Sequence, residues 1–231
     1  MACPLIRPVL LMLSTIYATR CLVTGRTVGT VVRMSSRPVG RPLDPAIRES
    51  LLHAAERVMV TEGFSKLTVE SLCSEIGTTR PAFYRRYRNV SHLAFDVIRR
   101  HFGAEPPQET GSLEGDLLAL QLAEVAMFAD PLMSKNLSGL LESVLGDPVL
   151  SGTYASQFIL PRRARVADVL EAAVARGEIS GYDDVPFICD MLVGPIMARS
   201  LLPGSEPVDE TLARSTTRAV LALLGALTPA A

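Results

Sequence analysis

The sequence predicts an all-α protein, and three observations carry that prediction. Apolar residues recur at three- and four-residue steps in successive segments, as expected for helices with one buried face. Runs of alternating β-branched residues, which would indicate strands, are nearly absent. The 231 residues are 48% hydrophobic, which is enough for a packed core. We expect an N-terminal three-helix helix-turn-helix domain followed by a larger helical domain.

Residues 1–33 have a composition of their own, with four arginines and no acidic residue. Their apolar run at 9–13 is too short to span a bilayer. Met34 is followed at once by polar residues, so we interpret it as the start of translation. Residues 1–33 are then a non-structured leader or a misassigned start, and residues 34–103 form the first domain.

Capping residues predict the first two helices. Asp44 followed by Pro45 marks the start of a helix whose apolar residues recur at helical spacing until Gly63 ends it. Thr68 predicts the cap of a short second helix, and Gly77 predicts the tight turn that follows it.

The same signals predict two more helices in this domain. Thr79 is the expected cap of a third short helix, which covers about 80–87 and has a proline in its first turn. Either Asn89 or Ser91 caps a fourth helix, which a glycine and two prolines stop. The stretch 103–111 is therefore the predicted domain boundary.

The second domain, residues 104–231, divides into helical segments at its proline and glycine residues. The predicted segments are 112–130, 131–146, 148–177, 184–202 and 207–227.

Charge is distributed unevenly between the two domains. Residues 34–103 carry 11 basic and 7 acidic side chains, a net charge of +4, whereas residues 104–231 carry 8 and 17, a net charge of −9. Only the first domain is therefore suited to bind a polyanion.

The sequence offers no pattern for a metal, a cofactor or a catalytic centre. Its four cysteines form no C-x-x-C pair, which favours a reducing cytoplasm, and its three histidines lack ligand spacing. No phosphate loop, G-x-S-x-G motif or convincing carboxylate pair is present. We expect no cofactor, no metal and no enzymatic activity.

The third helix combines basic charge with aromatic residues on one face. Helical spacing exposes Arg80, Tyr84, Arg85 and Arg86, while Phe83 can face the first two helices. A short basic helix of this kind fits the major groove of DNA, which is about 12 Å wide. The alternative is a purely structural helical hairpin.

The segment 67–87 closely resembles the TetR family of repressors. The residues that carry the resemblance are Leu67-Thr68-Val69 and Ile76-Gly77-Thr78-Thr79-Arg80-Pro81-Ala82-Phe83-Tyr84-Arg85-Arg86-Tyr87. The likeness covers residues 41–103 strongly. Residues 104–231 resemble more weakly the ligand-sensing half of one TetR subgroup, through the segments 161–164, 175–178 and 194–195.

The resemblance implies which residues contact DNA. Residues that match the base-contacting part of the family's recognition helix are Thr78, Thr79, Arg80 and Pro81, and Arg80 suits bidentate readout of guanine. Tyr84 matches an aromatic residue that touches a phosphate or a thymine methyl group.

Other positions match the family's phosphate contacts. The implied contacts are Thr68 and Arg86, with Arg88 replacing a lysine that the family usually has where Val90 stands here. Arg41 lies on a proline-stiffened arm suited to the minor groove. The alternatives are that Thr68 is only a helix cap and that the arm is solvated charge.

The last two predicted helices carry apolar faces that the resemblance assigns to a four-helix dimer interface. The residues assigned to it are Ile188, Leu192, Ile196, Leu212, Thr216, Ala219, Val220, Leu223 and Leu227. The alternative is that these residues are buried within one subunit.

The middle segments supply flexible and aromatic residues suited to an apolar ligand cavity. The predicted lining is Leu122, Met127, Phe128, Met133, Leu137, Leu141, Phe158 and Met197, each of which can also be ordinary core. Arg162 and Arg163 can meet an acidic ligand, although we expect them to be exposed on a long helix.

The resemblance therefore implies a homodimeric transcription repressor. It would bind palindromic double-stranded operator DNA, respond to a small-molecule effector and have no membrane partner. The rival classes are a non-specific architectural DNA-binding protein and, less favoured, a helical enzyme. The acidic second domain argues against the architectural protein, because only one face of the chain suits phosphate.

Overall fold

Residues 44–103 and 109–226, which the computed structural model describes, form eleven α-helices and no strand, so the all-α prediction is confirmed. No helix in these ranges is both long and apolar enough to cross a membrane. The leader at 1–33 and the arm with Arg41 lie outside the described residues, as does Leu227.

The first four helices, which we call the head, lie within the predicted first domain. They are α1 (Pro45–Thr61), α2 (Val69–Glu75), α3 (Arg80–Tyr84) and α4 (Val90–His101), with a 3₁₀ turn at Phe64–Lys66 after α1. The remaining helices form the body. They are α5 (Leu113–Ala129), α6 (Pro131–Ser134), α7 (Leu137–Gly146), α8 (Pro148–Tyr154), α9 (Leu160–Arg176), α10 (Val185–Leu201) and α11 (Glu210–Leu223).

Side-chain caps fix the starts of the head helices where the sequence predicts them. Asp44, Thr68 and Thr79 accept hydrogen bonds from the backbone N–H groups of Ala46, Ser71 and Ala82. Asn89 accepts from the His92 N–H at 3.1 Å, which makes Asn89 the cap of α4 rather than Ser91. Each cap satisfies an N–H that the helix leaves without a partner.

Two predicted helices are shorter or broken in the structure. The third ends at Tyr84 instead of about residue 87, because the N–H of Arg86 bonds to the Phe83 carbonyl three residues back and the chain tightens into a turn. The segment 131–146 is divided between α6 and α7 at Asn136, whose buried side chain bonds to two backbone carbonyls.

The segment 148–177 is helical throughout, but it contains a local irregularity. A π-helical turn at Ala155–Ile159 joins α8 to α9, and Gly177, in the left-handed conformation with a φ of 76°, ends α9. The last helix is shorter than the predicted 207–227, because the Asp209 side chain caps it at the Leu212 N–H.

The head and the nearer part of the body share one hydrophobic core. Its members come from all four head helices, from α5 to α8 and the π-helical turn, and from one part each of α10 and α11. They include Leu51, Phe83, Ile98, Phe128, Leu132, Leu140 and Phe158. A second core lies among α5, α9, α10 and α11, and it includes Leu117, Leu170, Ile188, Leu192 and Val220. The packing is thus continuous across the head and α5 to α8.

Polar contacts reinforce the junction between the head and α6 to α8. Asn136 Nδ2 donates to the Met59 carbonyl at 3.0 Å, and Lys135 Nζ donates to the Val60 carbonyl at 2.6 Å, both near the end of α1. Gly139 lies so close to the Phe64 ring that a methyl group there would come within 2.5 Å of Cδ1. The end of α1 is therefore fixed on α6 and α7.

The start of α4 is fixed on the body as well. Ser91 Oγ donates to Ser143 Oγ at 3.0 Å, and the His92 ring lies 3.1 Å from the Asp147 carboxylate. These contacts attach α4 to α7 and to the cap of α8.

Candidate DNA-binding surface and helical cavity

Helix α3 buries one face in the head and exposes the other. Ala82 and Phe83 are buried, and the Phe83 ring makes an edge contact with Tyr84 and a tilted contact with Tyr87. The outward face, which we call the recognition surface, consists of Thr79, Arg80, Pro81, Tyr84 and Arg85. Tyr84 is 56% exposed, so this surface presents one large aromatic ring to solvent.

Arg80 lies at the centre of the candidate DNA-binding surface. Its guanidinium is 2.9 Å from the Glu70 carboxylate of α2, and the two side chains are 59% and 80% exposed. An ion pair this exposed contributes little stability, because water screens it. Arg80 can therefore exchange Glu70 for another acceptor at little cost.

Arg86 is held by the protein itself rather than left free. It is partly buried and donates to the Ala82 carbonyl at 2.9 Å and to the Asp44 carbonyl at 2.7 Å. These bonds tie the end of α3 to the start of α1. Arg85 and Arg88, which flank Arg86 in the sequence, are more exposed to solvent than Arg86 is.

The remaining predicted DNA contacts lie around the same surface. Thr68 is exposed at the start of α2 and bonds to the Ser71 N–H and hydroxyl, so its role as a cap is realised in the structure. Thr78 is partly buried in the turn before α3.

A partly buried carboxylate fixes the turn that follows α3. Asp96 of α4 accepts from the Tyr87 hydroxyl at 2.9 Å, from Arg48 of α1 at 2.5 Å and from Arg99 at 2.6 Å. Burial by itself would raise the pKa of Asp96, but the hydrogen bonds from Arg99 and Tyr87 and the charge of Arg48 outweigh it and lower the pKa. No local pattern in the sequence indicates this cluster, because Asp96 lies 48 residues from Arg48.

Replacing this carboxylate tests its contribution. Asp96→Asn should lower the free energy of unfolding at pH 7 by about 1–3 kcal/mol, because hydrogen bonds to an ionised group are lost. A lowered pKa in the folded state stabilises the protein above the unfolded-state value of about 4, and this stabilisation disappears as the pH falls through the folded-state pKa. The difference in unfolding free energy between wild type and variant, measured by urea unfolding, should therefore become smaller at acidic pH. A pH-independent difference would contradict this account.

The body contains a cavity of about 520 Å³ among α5, α7, α9 and α10 and the end of α4. Five of the eight predicted lining residues lie on its wall: Met127, Phe128, Leu141, Phe158 and Met197. The other three do not. Leu122 is exposed on the outer face of α5, and Met133 and Leu137 are buried in the core shared with the head.

Arg162 forms the polar wall of this cavity, so the expectation that it is solvent-exposed is wrong. Its side chain is only 17% exposed, and Nε is 3.1 Å from Glu124. The guanidinium also donates to the Phe158 and Phe102 carbonyls and to the Met127 sulfur, and it lies 3.7 Å from the Phe158 ring centre. Arg163 is mostly buried too, and it pairs with Asp190.

Burial changes the ionisation of several groups on the cavity wall. It raises the pKa of Glu124 against the opposing effect of Arg162, and it lowers the pKa of Arg162. It also raises the pKa of Tyr154 to about 12 and of Cys189 to about 11. The phenol and the thiol are therefore protonated at neutral pH and present no anion to the cavity.

Most of the residues predicted for a dimer interface are buried within one protomer. These are Ile188, Leu192 and Ile196 of α10 and Leu212, Thr216 and Val220 of α11, each at most 4% exposed. They face the interior of the body, where Thr216 Oγ1 donates to Gln121 of α5 at 2.7 Å. Their assignment to an intersubunit contact is therefore corrected.

The outer faces of α10 and α11 present a different set of residues. Of the predicted interface residues that the structure describes, only Ala219 and Leu223 are exposed, and Leu223 is 53% exposed. We call the outer set the α10–α11 face; its exposed members are Phe187, Gly194, Pro195, Ala198, Leu201, Ala219, Ala222 and Leu223. These residues are apolar, and small ones occur along both helices. The exposed Ser215 lies among them, and Arg218 and Asp190 lie beside them.

An exposed basic helix in a helix-turn-helix, carried on a helical body, defines a DNA-binding transcription regulator. The chain belongs to the TetR family. Residues 51–97 match the family model for bacterial regulatory proteins of the tetR family, and residues 107–220 match the tetracyclin repressor-like C-terminal domain. Its role is accordingly regulatory and not enzymatic.

Proteins with similar sequences or structures are also described as transcription regulators. An HTH-type transcriptional regulator of Mycobacterium tuberculosis is 28% identical over 190 residues, which are 80% of this chain and 91% of that protein. YdeS, an HTH-type transcriptional regulator of Bacillus subtilis, is 27% identical over 173 residues, 74% of this chain and 86% of YdeS. The crystal structure of the TetR family transcription regulator SCO0332 has 28% identity and a TM-score of 0.59, covering 79% of this chain and 99% of that one.

Proposed function

We propose that the protein is a homodimeric repressor that binds a palindromic operator and releases it when a small molecule occupies the cavity. The observation that carries this proposal is the contact of Arg162 with the Phe102 carbonyl at 2.9 Å. It joins the wall of the cavity directly to the end of α4, the last helix of the head. Occupancy of the cavity thus has a short physical route to the DNA-binding helices.

We propose that the recognition surface reads the operator. Arg80 contacts base edges, and so do Thr78, Thr79 and Pro81 beside it. Tyr84 packs on a phosphate or a thymine methyl group. Thr68, Arg86 and Arg88 remain our candidates for phosphate contacts, joined by Arg41 on the arm. We add Arg85 to this group because its side chain is exposed beside Tyr84, and we propose that Arg86, which bonds to the Asp44 carbonyl, also positions α3 against α1.

Replacing Arg80 tests its assignment to base readout, and replacing the neighbouring Arg85 provides the matched control. Arg80→Ala should cost about 1–3 kcal/mol of discrimination at one operator position and so relax the sequence preference there. Arg85→Ala removes the same charge from the same exposed face. It should weaken binding to all sequences alike and reduce the salt slope by about one unit. Binding curves on operator and single-base variants measure both effects, and the reverse pattern would refute the assignment.

We propose that the α10–α11 face forms the dimer interface. The face is apolar, and its small residues allow helices of two copies to approach closely. A dimer places two identical heads on one duplex, so the operator should be an inverted repeat with half-sites about one helical turn apart or somewhat more. Selection of bound sequences from random duplexes would show this repeat.

Effector release is tested by titrating operator and effector against each other. In one conformation of the dimer, the two heads are too far apart or too close to reach successive major grooves. An effector that binds this conformation more tightly than the DNA-binding one lowers the operator affinity, and the difference between its two affinities sets the size of the effect. Linkage is reciprocal, so the operator must weaken effector binding by the same factor, about 5- to 150-fold for ordinary coupling. Equal effector affinities with and without operator would show that the body is only a dimerisation scaffold.

A further inference from the structure

Glu70 is an acidic side chain beside the recognition surface. It is the second residue of α2, its side chain is 80% exposed, and its carboxylate accepts a hydrogen bond from Arg80 Nη2 at 2.9 Å. A carboxylate has the same sign of charge as the phosphates of DNA, so at this place it opposes DNA binding unless a basic group compensates it. Arg80 supplies that compensation.

The bond to Glu70 occupies only part of the Arg80 guanidinium. Glu70 accepts one N–H of Nη2, and neither Nη1 nor Nε bonds to any residue that the structure describes. A guanidinium has five N–H donors, and a guanine needs two of them for its O6 and N7 atoms. Arg80 can therefore keep its bond to Glu70 and bind both acceptors of a guanine at the same time.

A second residue of α2 also lies near the Arg80 guanidinium. Burial raises the pKa of the Cys73 thiol, and the charge of Arg80 acts on that pKa in the opposite direction. Cys73 is one helical turn after Glu70 on α2. The guanidinium is therefore placed against α2 at two successive turns.

The other exposed arginines beside this surface have no such counter-ion. Arg85 and Arg88 form no ion pair within the described ranges, so each offers a full positive charge to phosphate. The pair of Glu70 and Arg80 is neutral overall and is attracted little by phosphates, but it retains the donors that a guanine accepts. Attraction to any DNA and readout of a base thus fall to different arginines.

DNA that covered this pair would strengthen it. In the free protein both side chains are exposed, and water screens their attraction. Under a bound duplex the effective dielectric constant is lower, so the same contact becomes stronger. Glu70 then holds Arg80 at the base edges, away from the phosphate oxygens that compete for an arginine at every sequence.

We propose that Glu70 is a specificity-determining residue, which positions Arg80 for a guanine and cancels the charge that would draw this arginine to phosphate. The inference rests on the proposed function in one respect, because it takes Arg80 to contact base edges. It adds a positioning residue on α2 that acts through Arg80.

Replacing Glu70 by its neutral isostere tests this role in the full chain. Fluorescence anisotropy measures binding to the duplex that the wild type selects from random DNA, to its single-base variants and to a random-sequence duplex. Glu70→Gln should tighten binding to the random-sequence duplex and steepen the salt slope by about one unit, because one more positive charge is left uncompensated. Arg80→Ala identifies the base pair that Arg80 reads. Discrimination at that base pair should fall roughly threefold or more in Glu70→Gln.

Glu75→Gln is the matched control, since it makes the same substitution on the same helix. Glu75 is paired with Arg57 of α1 and not with Arg80. Its replacement should change binding to all sequences alike and leave discrimination at the Arg80 base pair as in wild type. In a protein that already carries Arg80→Ala, Glu70→Gln should no longer affect that discrimination.

Three results would overturn the role of Glu70: wild-type discrimination in Glu70→Gln, equal losses of discrimination from Glu70→Gln and Glu75→Gln, or a further loss when Glu70→Gln is added to Arg80→Ala. If Arg80→Ala itself affects no particular base pair, the assignment of Arg80 in the proposed function fails and this inference fails with it. A position-specific effect of Arg80→Ala, together with unchanged discrimination in Glu70→Gln, would uphold the proposed function and overturn only the inference.

Discussion

Ala219→Arg on α11 is expected to convert the protein to a monomer and to lower its operator affinity by about 10²–10⁴-fold. Ala219 is exposed on the α10–α11 face, where a twofold axis would bring the two introduced charges close together. Desolvating two like charges costs more than the lost apolar contact, so the interface should not form. Each head would then bind one half-site without the effective concentration that linkage to the second head provides.

The matched control is Ala175→Arg, which adds the same side chain at an exposed position on α9. It should leave the mass in solution and the operator affinity unchanged. Sedimentation gives the mass, and fluorescence anisotropy with a labelled operator gives the affinity. An Ala219→Arg protein that remains dimeric and binds operator as wild type does would place the interface elsewhere.

Phe83→Ala is expected to lower the free energy of unfolding by about 3–5 kcal/mol. The Phe83 side chain is fully buried between α3 and the other helices of the head, and its removal leaves a cavity that the surrounding rings of Tyr84 and Tyr87 cannot fill. A loss of this size is a large fraction of the stability of an ordinary protein.

Tyr84→Ala is the control for this variant, since it removes the neighbouring ring of the same helix. Tyr84 is 56% exposed, so its loss should change the unfolding free energy by only about 0.5 kcal/mol. Urea unfolding of both variants measures the contrast. Similar losses from the two substitutions would show that α3 is not packed as the structure has it.

Local signals in the sequence predicted the head well. Asp44, Thr68 and Thr79 cap helices because their side chains bond to N–H groups two or three residues away, and such bonds depend on little else. The alternation of buried and exposed positions on α3 follows from helical spacing in the same way. These features need no knowledge of distant residues.

Features that depend on distant partners could not be predicted in this way. An apolar face on α10 or α11 shows that the helix buries that face, but it does not show whether α5 or a second subunit covers it. Arg162 gave no local sign of burial, because its partners Glu124 and Phe102 lie 38 and 60 residues away. The break at Asn136 likewise depends on Met59, 77 residues earlier.

The attachment of the head to α6, α7 and α8 determines where the molecule can bend. Because Asn136, Lys135 and Gly139 fix the end of α1 and Ser143 and Asp147 fix the start of α4, the head cannot swivel on its linker alone. We therefore expect α6 to α8 to move with the head in any reorientation. This unit is flanked by Asp130, between α5 and α6, and by the π-helical turn at 155–159, which forms part of the cavity wall.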